Sequence, residues 1–257
     1  METLQGAPNF RDLGGSLTAA GQVVRRGRVF RSQRLAGLSQ SDLIWLDRSG
    51  IAAVLDLRTP ADSSKRPNEW SGDRALRTIV LDVASGGEAA TPQYWRRRLA
   101  DPAFDPAQAR DEMLALYKAL PRLFARHMEM LFAYLAEEGS GPLLVHCEAG
   151  KDRTGFVCAA LLLSLGVPKE AVYADYLLSA QRYVLTPGSH AVQRLLGDGA
   201  SERMVAALKE LMTVYPAYLE AALTEVDVHH GSLEAYLLHA GVSLERQARV
   251  RWHLVGE

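Results

Sequence analysis

The sequence predicts an α/β fold, a mainly parallel central sheet flanked by helices, with a helical C-terminal part. Three observations carry this. Short apolar stretches alternate along the chain with segments whose apolar residues recur at helical spacing. Ile51–Leu57 is a nearly unbroken apolar run, the pattern of a strand covered on both faces. From Glu202 to Val255 every stretch has helical periodicity, with Ser232 and Ser243 placed as N-caps and Gly241 at a helix end.

In chain order, Asn9–Gly15 is polar and Gly-rich. Arg11 and Asp12 within it read first as paired charges bracing a turn, and second as substrate contacts. A hairpin is expected from Gln22 to Ser32, turning at Arg25–Gly27. Ser39 is placed as the N-cap of a helix that runs to about Ser49 and stops at Gly50. Asp56 and Arg58 close the Ile51–Leu57 strand at its C-terminal end, where open α/β sheets hold ligands, or they pair with each other. Leu76–Val83 is the next strand, followed by a Gly/Ala/Ser-rich loop, Ala84–Ala90, and a helix carrying Arg96, Arg97 and Arg98. Pro106–Glu138 is helical, with a break expected near Pro121. Leu143–Cys147 is a strand, and Phe156–Leu165 and Pro168–Ala180 are helices. Residues 183–212 are expected to hold a lid or insertion, or an ordinary surface excursion.

The chain has 257 residues, 48% of them hydrophobic and 23% charged, and shows no repeat or linker, so residues 1–257 are expected to form one domain. A net charge of −1 gives no global pull toward nucleic acid or anionic lipid, so any affinity for anions must be local. The two cysteines, Cys147 and Cys158, make no disulfide framework and suit a reducing compartment. No metal-ligand spacing appears, and His229-His230 reads as a solvated pair. The longest apolar run, Phe156–Leu165, is too short to span a bilayer, and the first residues lack the basic and apolar regions of a signal peptide. Cytoplasm is the expected location, although export without a classical signal would leave no mark here. No cofactor motif is present, and the G-x4-G-K-S/T order of a nucleotide loop is absent.

The chemistry concentrates in Leu143–Gly155, LLVHCEAGKDRTG. Strand, tight loop and helix N-terminus are the parts of an anion cradle, because backbone N–H groups converge there and the helix dipole adds roughly half a positive charge. His146 and Cys147 open the loop, and five residues separate Cys147 from Arg153, about enough to wrap a tetrahedral oxyanion. Arg153 offers a planar fork for two phosphoryl oxygens. Cations and a helix N-terminus favour the thiolate, which makes Cys147 a nucleophile toward phosphorus. Thr154 is placed to hydrogen-bond the sulfur as it leaves. Glu148, Ala149, Gly150 and Lys151 line the loop; Gly150 permits a backbone closed to other residues, and Lys151 is expected at the rim. Glu148 is unexpected beside an anionic substrate unless its carboxylate turns away.

HCEAGKDRTG resembles the signature loop of the Cys-based protein tyrosine phosphatases, and its Gly-Lys-Asp-Arg form is similar to that of bacterial members acting on both proteins and phosphoinositides. Asn9–Gly15, Val29–Ser32, Val54–Thr59, Ala174–Ser179 and Gly231–Leu237 also resemble segments of that family, in its order. The resemblance implies a Cys-based phosphatase-like fold, a phosphocysteine intermediate, and a phosphorylated protein or phosphoinositide as substrate with inorganic phosphate as product. It also implies that Asp82 and Asp152 both lie near catalysis. The leaving oxygen needs a proton, best given from a mobile loop. Asp82, ending a strand before a Gly-rich loop, is preferred as the acid, with Asp152 orienting water or sharing the role. The alternatives are phosphoserine/threonine or phosphoinositide hydrolysis, a non-catalytic phosphate-binding module, or a rhodanese-type sulfurtransferase.

Overall fold

The structure is a computed structural model that describes residues 4–70, 77–80, 92–182, 196 and 200–256. Five strands form its sheet: β1 (Arg11–Asp12), β2 (Val29–Ser32), β3 (Ala53–Asp56), β4 (Arg77–Val80) and β5 (Leu143–His146). Their spatial order is β1-β2-β5-β3-β4, with β1 antiparallel to β2 and every other pairing parallel. Ser32, His146 and Asp56 are register partners at the C-terminal edge of three adjacent strands. That edge is where the site is built.

Alternation along the strands divides the core. Val29, Ala53, Leu55, Leu143 and Val145 face the larger apolar cluster, while Phe30, Val54 and Leu144 face a smaller one. The smaller layer is closed by α1 (Gln40–Arg48), where Ser39 and Asp42 form the reciprocal hydrogen bonds of a capping box. The short helix α2 (Pro60–Lys65) is capped by Thr59. The larger layer holds α3 (Pro92–Ala100), α4 (Pro106–Ala136), α5 (Asp152–Ser164) and α6 (Lys169–Arg182). It continues into α7 (Glu202–Met212), α8 (Pro216–His230), α9 (Leu233–His239) and α10 (Leu244–Leu254), with Ser232 and Ser243 as the N-caps of α9 and α10.

Two expectations are corrected. Gln22–Ser32 is not a hairpin: Val29–Ser32 pairs with Arg11–Asp12, while Val24 bridges Val255 near the C-terminus. And α4 runs 31 residues through Pro121 without a break. Losing the helical bond at Pro121 costs about 3 kcal/mol, but Pro121 is buried and its carbonyl accepts the Tyr236 hydroxyl at 2.8 Å. Packing against α5, α7, α8 and α10 holds the helix on both sides of it. The expected strand Leu76–Val83 is seen at Arg77–Val80 and otherwise lies outside the described residues, as do the Ala84–Ala90 loop and most of the 183–212 segment. The described end of that segment, α7, is capped by Ser201 and packed on α4. Among the described residues no helix is long and apolar enough to cross a membrane.

Candidate active site

β5 delivers His146 to the sheet edge, and the chain turns through Cys147–Lys151 into the first turn of α5, whose N-terminus faces the loop. The turn requires Gly150. Its φ is +68°, and a Cβ there would lie 2.3 Å from the Ser32 carbonyl oxygen. The Gly150 N–H donates to Cys147 Sγ at 3.2 Å, a first sign that the loop amides point inward at the sulfur.

The reason is visible on the loop's outer side. Asn9 Nδ2 donates to the carbonyls of Ala149 and Gly150 at 3.1 and 3.0 Å, and Arg31 donates to the Gly150 carbonyl at 2.9 Å. With the carbonyls held outward, the N–H groups are left for a ligand. Arg31 and Arg11 are both buried and share the Asp175 carboxylate of α6, at 2.6 and 2.7 Å. Burial alone would raise the Asp175 pKa, but the two guanidinium charges outweigh it and hold it below the usual range. Arg11, desolvated and beside Arg31, falls to about 10. Its remaining donors go to Asn9 and Ser179, so Arg11 braces the loop from behind and does not line it.

His146 is fully buried and likewise spent on position. A carbonyl can only accept, so Nδ1 donates to the Cys147 carbonyl at 3.1 Å and Nε2 accepts from Asn68 Nδ2 at 3.0 Å. Burial pushes its pKa down although Asp56 lies 3.7 Å from Nε2, so the ring is neutral. Asp56 and Arg58 pair with each other: Arg58 Nη2 donates to Asp56 Oδ2 at 2.7 Å and Nη1 to the Arg66 carbonyl at 2.6 Å. Burial opposes the Asp56 charge, yet the hydrogen bonds from Arg58 and Ser63 and the Arg58 charge bring its pKa to about 2.

Arg153 Nη1 reaches the Leu57 carbonyl, just past the end of β3, at 3.3 Å. The Thr154 hydroxyl is buried with no hydrogen-bond partner among the described residues, which leaves it available to the sulfur. Asp152 accepts from the Tyr117 hydroxyl at 2.7 Å and from Lys151 Nζ at 2.8 Å, so its carboxylate is occupied by protein donors. Tyr117 in turn contacts the Tyr176 hydroxyl at 2.7 Å. Lys151 corrects the sequence reading: it is buried, not at the rim, because its ammonium also donates to the Leu211 carbonyl at the end of α7, 2.9 Å away. Glu148 does turn aside, toward Arg34, Arg58 and Arg66, which offset its charge. Asp82 lies outside the described residues. Burial lifts Cys158 to about 12 and leaves it an inert core thiol.

The loop residues were legible from their order; Asn9, Arg31, Asn68, Tyr117, Tyr176 and Asp175 were not assigned. Asn9, Arg31, Asp175 and Tyr176 fall inside NFRDLGG, VFRS and ADYLLS, segments that resemble the family but carry no local pattern of a site. Unusually placed charges in those stretches were the available signal. Among the described residues no group of His, Cys, Asp and Glu could hold a metal ion. His229 instead pairs with Glu225 at 2.8 Å.

The family model described as tyrosine phosphatase family matches residues 2–256. A Cupriavidus necator protein provisionally named a tyrosine-protein phosphatase is 35% identical over 233 residues, covering 90% of this chain and 81% of its own length. The triple specificity protein phosphatase PtpB of Mycobacterium tuberculosis is 28% identical and covers 98% of both chains. The solved structure of P. aeruginosa TpbA aligns with 86% of this chain and 90% of its own at 17% identity and a TM-score of 0.35. With its loop intact between β5 and α5 and the family match running nearly end to end, the chain belongs to the tyrosine phosphatase family.

Proposed function

We propose that the protein hydrolyses phosphotyrosine in proteins through a phosphocysteine intermediate, using one phosphatase domain over residues 1–257. The observation that carries this is the loop itself: the Gly150 N–H on Cys147 Sγ, the Ala149 and Gly150 carbonyls held outward, and a buried Thr154 hydroxyl with no partner among the described residues. Cys147 Sγ attacks phosphorus, an S–P bond forms as the ester P–O bond breaks, and the tyrosine oxygen takes a proton. Water then attacks phosphorus, releasing inorganic phosphate and the thiolate, whose departure the Thr154 hydroxyl supports. Arg153 and the loop amides stabilise the charge on the equatorial oxygens in both steps.

Asp82 is the proposed acid. The support is negative for its rival, since Asp152 is engaged by Tyr117 and Lys151, a setting that suits positioning. A reducing location such as the cytoplasm keeps Cys147 as the free thiol this chemistry needs. The mycobacterial relative is named a triple specificity protein phosphatase, which supports substrates beyond phosphotyrosine; the further classes proposed are phosphoserine/threonine peptides and phosphoinositides.

Rapid-quench mass spectrometry with an aryl phosphate tests the mechanism. The expected adduct is phosphate on Cys147, absent in Cys147→Ser together with turnover. A persulfide formed from thiosulfate would point to sulfur transfer, and phosphopeptide binding without turnover would leave only a binding module.

A further inference from the structure

We propose that Arg34 and Arg66 form a recognition site for an acidic side chain next to the phosphotyrosine, with Glu148 as the resident carboxylate that this side chain displaces. The proposal rests on the phosphatase reading and adds a class of substrate to it, acidic phosphopeptides.

Glu148 is the residue directly after the nucleophile, and its partly exposed side chain turns from the loop onto neighbouring arginines. Three guanidiniums converge on it: Arg66 Nη1 at 2.9 Å, Arg34 Nε at 3.5 Å and Arg58 Nη1 at 3.6 Å. They are not equivalent. Arg58 is buried, and its charge is already answered by Asp56 and its donors by the Arg66 carbonyl. Arg34 and Arg66 are different, with side chains 25% and 42% exposed. Two partly open cations therefore share one carboxylate, and the rim keeps a surplus positive charge.

The sharing is also incomplete. Only the Arg66 contact is a hydrogen bond in length; among the described residues Arg34 Nε and Glu148 Oε2 have no hydrogen-bond partner. Two guanidinium forks offer ten N–H groups between them, and a carboxylate has about four lone-pair positions. One carboxylate cannot satisfy both forks, so an incoming carboxylate can take Arg34 and Arg66 over from Glu148. The platform is fixed in advance, which lowers the ordering cost of binding. The Arg34 N–H donates to the Glu148 carbonyl at 3.1 Å, and Arg34 Nη1 reaches the Pro67 carbonyl at 3.5 Å. The Arg66 carbonyl is clamped by Arg58 at 2.6 Å. Taking Arg34 and Arg66 from Glu148 is cheap, because those two pairs are partly exposed and such pairs are individually weak.

A peptide fits better than a lipid surface. The surplus is one charge held by two fixed forks, which suits one planar carboxylate, and the chain as a whole has a net charge of −1.

The test measures kcat/KM for three phosphotyrosine peptides alike except for Glu, Ala or Lys at the flanking positions. The wild type should prefer the Glu peptide over the Lys peptide by about tenfold, and the preference should shrink as salt is raised. Arg34→Gln/Arg66→Gln should abolish it. Glu148→Gln should enlarge it by about fivefold, since the arginines lose their resident partner; a purely structural brace would instead lower all three peptides alike. If the double variant does not fold, Glu148→Gln decides alone. Equal rates on the three peptides, or a preference that survives in the double variant, would overturn the proposal. So would a larger loss on phosphoinositide vesicles than on the Glu peptide. An aryl phosphate run in parallel separates the failures: turnover of it without peptide discrimination refutes the recognition site alone, and no turnover refutes the phosphatase reading beneath it.

Discussion

Replacing Asp175 by Asn removes the charge on which the back of the loop depends. Its carboxylate answers Arg11 Nε at 2.7 Å and Arg31 Nη1 at 2.6 Å, and both arginine side chains are 1–2% exposed. Asn preserves the volume and one acceptor, so the change isolates charge from packing. Removing one partner of a buried ion pair typically costs about 3–5 kcal/mol, because the remaining charge stays buried without compensation. Here two like charges remain, while Arg11 keeps Asn9 and Arg31 keeps the Gly150 carbonyl. The lower half of the range, about 3–4 kcal/mol, is the expected loss. For a chain of this size that corresponds to a fall in Tm of roughly 6–16 °C. Urea unfolding followed by circular dichroism, with wild type and variant in one buffer, measures it. The surviving folded fraction should also turn over aryl phosphate more slowly, since Arg31 no longer holds the Gly150 carbonyl outward against a balanced charge. A loss below about 1 kcal/mol with unchanged kcat/KM would refute the reasoning and make the network ornamental.

The Gly150→Ala variant should lose aryl phosphate turnover by at least about a hundredfold, the scale of a misplaced oxyanion donor, because its Cβ would meet the Ser32 carbonyl at 2.3 Å; near-normal kcat would contradict the turn. Asn68→Asp exchanges the donor facing His146 Nε2 for an acceptor while keeping the Leu35 N–H bond, so the His146 pKa, read by NMR, should rise. An unmoved His146 titration sinks that assignment. His127 is buried with neither ring nitrogen partnered among the described residues, and burial together with the Arg153 charge lowers it to about 4. The unfolded chain binds this proton at about pH 6.5 and the folded chain only near 4, so stability falls as pH drops through that window, by roughly 3 kcal/mol. His127→Phe should flatten the pH dependence of urea stability between pH 6.5 and 4, and an unchanged slope would show that other groups carry it.

What the sequence disclosed and what it withheld divide along one physical line. The loop could be read because the chemistry proposed for it needs contiguous residues: a thiol, five loop positions, a guanidinium and a hydroxyl follow one another at the turn from β5 to α5. Caps such as Ser39, Ser232 and Ser243 were legible for the same reason, since they act within one helical turn. Lys151 was misread because a Gly-Lys-Asp-Arg run looks like an exposed turn, and nothing local announces that the end of α7, sixty residues on, supplies a carbonyl to its ammonium. The Gln22–Ser32 hairpin failed because Val24 finds its partner at Val255, and the break at Pro121 failed because neighbouring helices hold α4 together. In each case a distant contact outweighed a local preference.

The residues withheld follow from those disclosed once polar groups are counted. A loop that turns its amides toward an anion must turn its carbonyls the other way, into a buried layer where an unpartnered carbonyl costs free energy. Asn9 and Arg31 supply the donors at the Ala149 and Gly150 carbonyls. Arg31 is then a buried charge and requires Asp175, whose second oxygen takes Arg11, and Arg11 ends the series on Asn9 and Ser179. The series closes on the residue where it began, because Asn9 both holds the loop and accepts from Arg11. Segments as far apart as Asn9–Gly15, Val29–Ser32 and Ala174–Ser179 are thus tied to one catalytic turn, and a substitution in any of them should reach Cys147 through the direction in which two carbonyls point.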